Sequence, residues 1–178
     1  MVYEAQRKEN TVAMSAELQD AYNDQITLEF ASSYAYLQMA AFLDDANLPG
    51  FANWMRQQAE EERIHAMKFF DFVLNRGNQV ELRSIPAPSD DYTSPLSVFE
   101  ASLAHEQKVT RSIHDLYAHA TDGKDYESLA LLHWFIDEQV EEESTVSELI
   151  EQIAMAGDNG AALLLLDREL GTRVSGNE

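Results

Sequence analysis

Four prolines divide the chain into long proline-free segments, and this spacing constrains the fold more than any other feature. The prolines stand at positions 49, 86, 88 and 95. The segments around them are rich in Ala, Leu, Glu and Gln, which favour helices, whereas a proline breaks a helix interior. This punctuation predicts four long helices and a short fifth one, over about residues 15–44, 51–75, 94–122, 125–157 and 161–170.

The lengths of these helices and of the links between them predict how they pack. The four long segments have roughly 27 to 32 residues, or ~40–48 Å at 1.5 Å per residue, so they must lie side by side. Short turns join the first helix to the second and the third to the fourth, which makes these neighbours antiparallel. The link over about residues 76–94 is much longer. The prediction is an all-α four-helix bundle with one long crossover connection and a short fifth C-terminal helix.

The charge balance favours cations as partners. The chain has 32 acidic and 12 basic side chains, a formal net charge of −20. This excess disfavours nucleic acid and anionic membranes, and no apolar run approaches the ~20 residues of a membrane span. The absence of cysteine excludes disulfides, iron–sulfur clusters and thiol catalysis. Residues 1–14 are polar and lack the apolar region of a secretory signal, so a cytoplasmic location is expected.

Acidic residues interrupt the apolar face of every long helix near its middle. They are Glu29 in the first helix, Glu62 with His65 in the second, Glu106 in the third and the cluster 138–143 in the fourth. A single Glu on a predicted core face would indicate that the face had been assigned one residue out of register, since Glu is almost never buried unpaired. Four at one level of an antiparallel bundle indicate a shared multivalent cation, because basic residues are nearly absent from these faces.

The spacing of Glu62 and His65 places both on one helix face, about one turn apart, where they can bind one metal or two adjacent metals. Mostly oxygen ligands with one nitrogen and no sulfur suit Fe or Mn, and they fit structural zinc poorly. The fourth helix contains Glu138-Gln139-Val140-Glu141-Glu142-Glu143 and has no E-x-x-H motif. The first two helices thus supply one half of the site, with Glu29 and the E-x-x-H motif of Glu62 and His65. The half on the third and fourth helices is degenerate, because it has Glu106 but no second E-x-x-H motif.

Four motifs lie on these predicted core faces: Asn23-x5-Glu29-x6-Tyr36, Glu61-Glu62-Arg63-Ile64-His65, His105-Glu106-Gln107 and the run from Trp134 to Glu142. With them the chain resembles the non-haem bacterial ferritins over residues 15–171. The resemblance implies a ferritin-like diiron domain at 15–171, between a polar N-terminal segment at 1–14 and a C-terminal tail at 172–178. It also implies a homo-oligomer, a hollow shell of twenty-four subunits.

The resemblance further implies a two-iron centre within each subunit. Glu29, Glu62 and His65 would form the first iron site, with Glu62 bridging to the second. Glu106 would be the main carboxylate of the second site. Tyr36 would lie beside the centre as a hydrogen-bond donor and one-electron donor.

Further residues are implied around this centre. Gln139 and Glu142 would lie beside the second iron. A third, looser iron site facing the shell interior would use Glu61, Glu138, Glu141 and Glu142. Asp137 is either a stepping stone for entering iron or a solvated surface carboxylate, and Trp134 is either a core aromatic or a further redox residue.

The function implied by the resemblance is iron storage with ferroxidase activity. Fe²⁺ would be oxidised with O₂ or H₂O₂ and stored as a ferric oxyhydroxide mineral. No haem is expected, because Arg63 stands where the haem-containing bacterioferritins have a methionine ligand. Two alternatives remain: a diiron oxidase or peroxidase without a storage role, and a metal-free helical bundle whose acidic cluster is solvated.

Overall fold

The computed structural model describes residues 13–172, and this part of the chain has five helices and no strand. We number the helices α1 (Ala16–Asp45), α2 (Pro49–Asn75), α3 (Pro95–Asp122), α4 (Tyr126–Ala156) and α5 (Gly160–Leu170). The predicted all-α class and all five helices are confirmed. The predicted segment 1–14 lies outside the described residues except for its last two, and the tail 172–178 lies outside them except for its first. None of the helices within 13–172 combines the length and the apolar character that a membrane span requires.

The helices begin where the sequence supplies capping groups. The Ser15 hydroxyl accepts a hydrogen bond from a backbone N–H in the first turn of α1. Ser94 and Ser97 form a reciprocal capping box before α3, and the Asp125 carboxylate caps α4. Each of these side chains satisfies a backbone N–H that has no partner within its own helix.

The four long helices form two hairpins joined by the crossover. α1 packs on α2 and α3 packs on α4, while α1 also contacts α3 and thereby closes the bundle. The crossover is fastened to α1 by Asn23. Its Nδ2 donates to the carbonyl of Gln79 at 3.3 Å, and its Oδ1 accepts from the N–H of Glu81 at 3.0 Å. The arrangement is the four-helix bundle with one long crossover that the link lengths predicted.

The core consists of two apolar clusters with a polar layer between them. One cluster includes Trp54 and Phe99, and the other includes Phe69 and Phe135. All four long helices contribute buried polar side chains to the intervening layer, which we call the polar belt: Gln25, Glu29, Ser32, Gln58, Glu62, His65, Ser102, Glu106, Gln139 and Glu142. The belt lies at mid-height of the bundle, where the sequence pattern had placed its acidic residues.

The short helix α5 packs against α2 and α4. Its buried Asp167 accepts a hydrogen bond through Oδ1 from the backbone N–H of Phe51 at 2.9 Å, in the first turn of α2. The residue preceding α2, Leu48, makes no side-chain capping bond. Asp167 therefore caps α2 from a distant part of the chain, and Gly50 allows this close approach because a Cβ there would lie 1.6 Å from the Asp167 carbonyl oxygen.

Candidate metal centre

Four of the predicted ligands are almost completely buried in the polar belt. Glu29 and Glu106 are 0% exposed, Glu62 is 2% exposed and His65 is 3% exposed. Each side chain lies on the helix face that carries apolar core residues one or two turns away, so helix periodicity directs it inward. Burial of ionised carboxylates is costly unless an opposite charge compensates for it. The belt therefore has the composition of a cation site.

Glu29, Glu62 and His65 meet most closely. Each offers a ligand atom, and these atoms all lie within 4.8 Å of one another. Within residues 13–172, no other set of three Asp, Glu or His residues comes so close together. His65 Nδ1 lies 3.6 Å from Glu62 Oε2. Oε2 of Glu29 is buried and has no hydrogen-bond partner among the described residues, so it is an acceptor that a bound cation would satisfy.

The surroundings of His65 keep its imidazole neutral and fixed in orientation. Its ring packs edge-on against Trp134 and Phe135, with centroids 5.6 and 5.5 Å away. Burial, together with the positive charge of Lys68, lowers the pKa of His65 to about 4. A neutral imidazole at physiological pH has the free lone pair that a metal ion requires.

Burial raises the pKa values of three belt carboxylates. Burial raises the pKa of Glu29 to about 7. Burial, followed by the charges of Glu106 and Glu29, raises the pKa of Glu62 well above its ordinary value. Burial also raises the pKa of Glu106. These acids share one low-dielectric site, and multivalent positive charge is what would allow all of them to be ionised together.

Glu106 of α3 accepts hydrogen bonds from side chains of α1 and α4. The Tyr36 hydroxyl donates to Glu106 Oε1, and the same hydroxyl lies 2.9 Å from the Ser102 hydroxyl. Gln139 Nε2 donates to Glu106 Oε2 at 3.2 Å. Both carboxylate oxygens therefore have partners, and the Tyr36 hydroxyl lies in the belt beside Glu106.

Glu142 is the fourth buried carboxylate of the belt, and it is 7% exposed. Its Oε2 accepts a hydrogen bond from Gln58 Nε2 at 2.8 Å, which joins α4 to α2. Its negative charge contributes to the raised pKa of Glu62. Gln139 and Glu142 thus lie in the belt with the other predicted ligands.

The remaining predicted residues lie farther out. Glu61 and Glu138 are half-buried, whereas Glu141 and Asp137 are exposed. Glu61, Glu138, Glu141 and Glu142 do not come together as closely as the Glu29 set does, so the third iron site stays a prediction. Trp134 is half-buried, and Lys68 Nζ lies 3.3 Å from the centroid of its ring.

No role was predicted for Gln25 or Gln58, although their amides bond to Glu29 and Glu142. Gln25 and Gln58 each precede a predicted ligand, Glu29 and Glu62, by four residues. This spacing places each amide one helical turn before its carboxylate. This spacing could have indicated a supporting role for each amide, but it does not specify the hydrogen-bond partners that the structure shows.

The fold and the belt together define a helical-bundle protein with a buried carboxylate–histidine site in its core. A family model described as the ferritin-like domain matches residues 19–156. The chain belongs to the ferritin family.

Curated relatives and solved structures agree with this assignment. The chain is 44% identical to the bacterial non-heme ferritin of Staphylococcus haemolyticus over 160 residues, covering 90% of this chain and 96% of the relative. It is 42% identical to that of Staphylococcus aureus strain MRSA252 over 165 residues, covering 93% and 99%. An engineered closed form of the Archaeoglobus fulgidus ferritin superposes with a TM-score of 0.91 at 43% identity, covering 92% of this chain and 100% of that one. The open-pore ferritin of the same archaeon gives 0.89 at 43%, covering 90% and 98%.

Proposed function

We propose that this protein oxidises Fe²⁺ with O₂ at a two-iron centre in each subunit and stores the product as a ferric oxyhydroxide mineral inside a 24-subunit shell. Membership of the ferritin family and the relatives named bacterial non-heme ferritin support iron storage. The observation that carries the ferroxidase assignment is the buried set Glu29, Glu62 and His65 in the same belt as Glu106. Iron is both substrate and cargo in this proposal.

The proposed ligands divide between two irons. Glu29, Glu62 and His65 bind the first, and Glu62 also reaches the second, where Glu106 is the main carboxylate. Gln139 and Glu142 complete the second site. The oxygen-rich donor set suits iron, and the raised pKa values of the carboxylates give a physical reason for binding it.

The chemistry requires two electrons at one place. Each of two Fe²⁺ ions gives one electron to O₂, which leaves two Fe³⁺ and peroxide or its products. The carboxylates stabilise Fe³⁺ more than Fe²⁺, because Fe³⁺ carries the larger positive charge. This difference favours oxidation. Tyr36, bonded to Glu106, is placed to donate a hydrogen bond or an electron. Asp137 would be a stepping stone for the entering Fe²⁺, and oxidised iron then leaves toward the shell interior, past the third-site acids.

The proposed shell is consistent with apolar side chains that the single chain leaves in solvent. Leu164 and Leu165 on α5 are 49% and 65% exposed, and Met155 near the end of α4 is 80% exposed. Exposed apolar groups of this size commonly mark protein–protein contacts. The net charge of −20 per chain would draw Fe²⁺ toward the assembled particle.

Glu62→Ala tests the site, because it removes the ligand that both irons share. We expect loss of the fast, stoichiometric phase of Fe²⁺ oxidation in stopped-flow absorbance after aerobic Fe²⁺ addition. The matched control is Glu60→Ala on the same helix, which removes only an exposed ion pair with Arg63 and should oxidise Fe²⁺ at the wild-type rate. An unchanged fast phase in Glu62→Ala would show that the site is assigned wrongly.

Particle size and iron content separate storage from oxidation without storage. A storage protein should elute in size-exclusion chromatography as a very large shell, and that peak should retain iron in great excess over its oxidation sites. Elution as a monomer or dimer that still oxidises Fe²⁺ would support the diiron oxidase alternative. Failure of anaerobic Fe²⁺ to raise the melting temperature would support the metal-free bundle.

A further inference from the structure

Gln25 connects Glu29 to the opposite hairpin of the bundle. Its side chain is completely buried. Its Nε2 donates to Glu29 Oε1 at 2.7 Å, and its Oε1 accepts from the Ser112 hydroxyl of α3 at 2.5 Å. The three side chains form one directed chain of hydrogen bonds, from Ser112 through Gln25 to Glu29.

The direction of this chain determines which end of the amide faces the carboxylate. An amide has a donor end and an acceptor end, and exchanging them by a flip changes every bond it makes. The ionised Glu29 carboxylate can only accept, so it takes the NH₂ group, and the Ser112 hydroxyl then donates to Oε1 and anchors the other end of the amide. The flipped amide would place its oxygen against the Glu29 carboxylate, where two acceptors would repel each other.

The two oxygens of Glu29 are consequently not equivalent. Oε1 is engaged by Gln25, whereas Oε2 is buried without a hydrogen-bond partner. The Glu29 ligand atom lies within 4.8 Å of those of Glu62 and His65. A carboxylate held in this way offers a metal ion one free oxygen in a fixed direction. Hydrogen bonds that orient ligands in this manner commonly contribute 10- to 100-fold to metal affinity.

We propose that Gln25, oriented by Ser112, is a positioning residue that holds Glu29 so that Oε2 faces the metal. The inference rests on the metal centre of the proposed function and adds two residues to it. The spacing of Gln25 and Glu29 does not produce this contact unaided. Gln58 stands at the same spacing before Glu62, yet its Nε2 bonds to Glu142 on α4. The hydroxyl of Ser112 supplies the additional constraint on Gln25.

The test measures anaerobic Co²⁺ binding by calorimetry and by the visible absorption of the bound ion, so it does not depend on iron oxidation. Gln25→Met keeps the length of the side chain but removes both hydrogen bonds. We expect about 10- to 100-fold weaker Co²⁺ binding and an altered absorption spectrum, because Glu29 can then rotate. Ser112→Ala should change the Co²⁺ affinity and the spectrum in the same direction but by a smaller amount, since Gln25 remains.

Two further variants serve as controls. Ser112→Thr retains the hydroxyl and should restore the wild-type affinity and spectrum. Thr27 lies between Gln25 and Glu29 in the sequence, but its hydroxyl donates to the Asn23 carbonyl in its own helix. The Thr27→Val variant should therefore bind Co²⁺ like the wild type. If Gln25→Met does not fold, Ser112→Ala decides the matter, because Ser112 is only half-buried.

The outcomes separate this inference from the function on which it rests. Wild-type affinity and spectrum in both Gln25→Met and Ser112→Ala would overturn the positioning role and leave the metal centre intact. An equal loss in Ser112→Thr and Ser112→Ala would also overturn it, because the hydroxyl would then not be the cause. Absence of Co²⁺ binding by the wild type would contradict the proposed metal centre itself.

Discussion

Glu29 shows how the belt balances opposing demands on a single residue. Gln25 holds one of its oxygens, the other is buried and accepts no hydrogen bond from a protein N–H or hydroxyl group, and burial raises its pKa to about 7. The metal-free protein therefore keeps this carboxylate at a cost in stability that grows as pH rises. A bound cation would remove that cost, so metal binding and stability should be linked.

The pH dependence of the metal-free protein tests this linkage. Unfolded Glu29 ionises near its ordinary pKa of 4.5, whereas the folded protein retains the proton up to about pH 7. Below pH 4.5 both states are protonated, and as pH rises from 4.5 to 7 the unfolded state loses its proton first. The folded state therefore loses up to about 3 kcal/mol of stability over this range.

We expect Glu29→Gln to abolish this contribution, so its melting temperature without metal should fall less than that of the wild type between pH 4.5 and 7. His65 acts in the opposite direction, because its lowered pKa favours the folded state as pH rises. Both proteins retain His65, so its contribution cancels in the difference between their pH profiles, which reports Glu29 together with its effect on the pKa of Glu62. Parallel pH profiles, recorded by differential scanning calorimetry in the presence of a chelator, would contradict the prediction.

The sequence was sufficient to predict the acids of the belt but not the hydrogen bonds that Gln25, Gln58 and Ser112 make around them. Glu62 and His65 share a helix face by spacing, and Glu29 and Glu106 follow from the apolar pattern around them. The bond between Gln25 and Ser112 joins residues 87 positions apart in the sequence. It depends on the rotation and register of α1 against α3, which no local pattern specifies. The roles of five further residues also stay predictions, because these residues lie at or outside the edge of the belt: Glu61, Glu138, Glu141, Asp137 and Trp134.

At the scale of elements, the helices were predictable because their signals are local. Prolines and capping residues mark their ends, and each predicted bound lies within two residues of the observed one. The cap on α2 is different, because Asp167 and Phe51 are 116 residues apart. The apolar pattern predicts α5 as a helix, but it does not indicate that α5 supplies the missing cap of α2.

Asp167→Ala should loosen α5 from the bundle. It removes a capping bond worth about 0.5–2 kcal/mol, and the buried N–H of Phe51 loses its carboxylate partner. We expect a lower melting temperature, with the belt still able to bind metal because α5 contributes no belt residue. Glu169→Ala is the matched control, since Glu169 is an exposed acid on the same helix. Equal melting temperatures for the two variants would show that the cap does not stabilise the protein.

At the scale of the whole molecule, the two apolar clusters explain why an acidic belt can exist at all. They provide stability above and below the belt, and they exclude water from it. The result is a rigid frame in which α1 to α4 each bring polar groups to one level. We propose that this frame binds two irons between those groups.

The most direct measurement is anomalous diffraction at the iron edge from a crystal soaked aerobically in ferrous salt. We expect two adjacent iron peaks inside each bundle, one contacting Glu29, Glu62 and His65 and the other contacting Glu62 and Glu106. A belt without iron after the soak, or acidic side chains turned out into solvent, would contradict it.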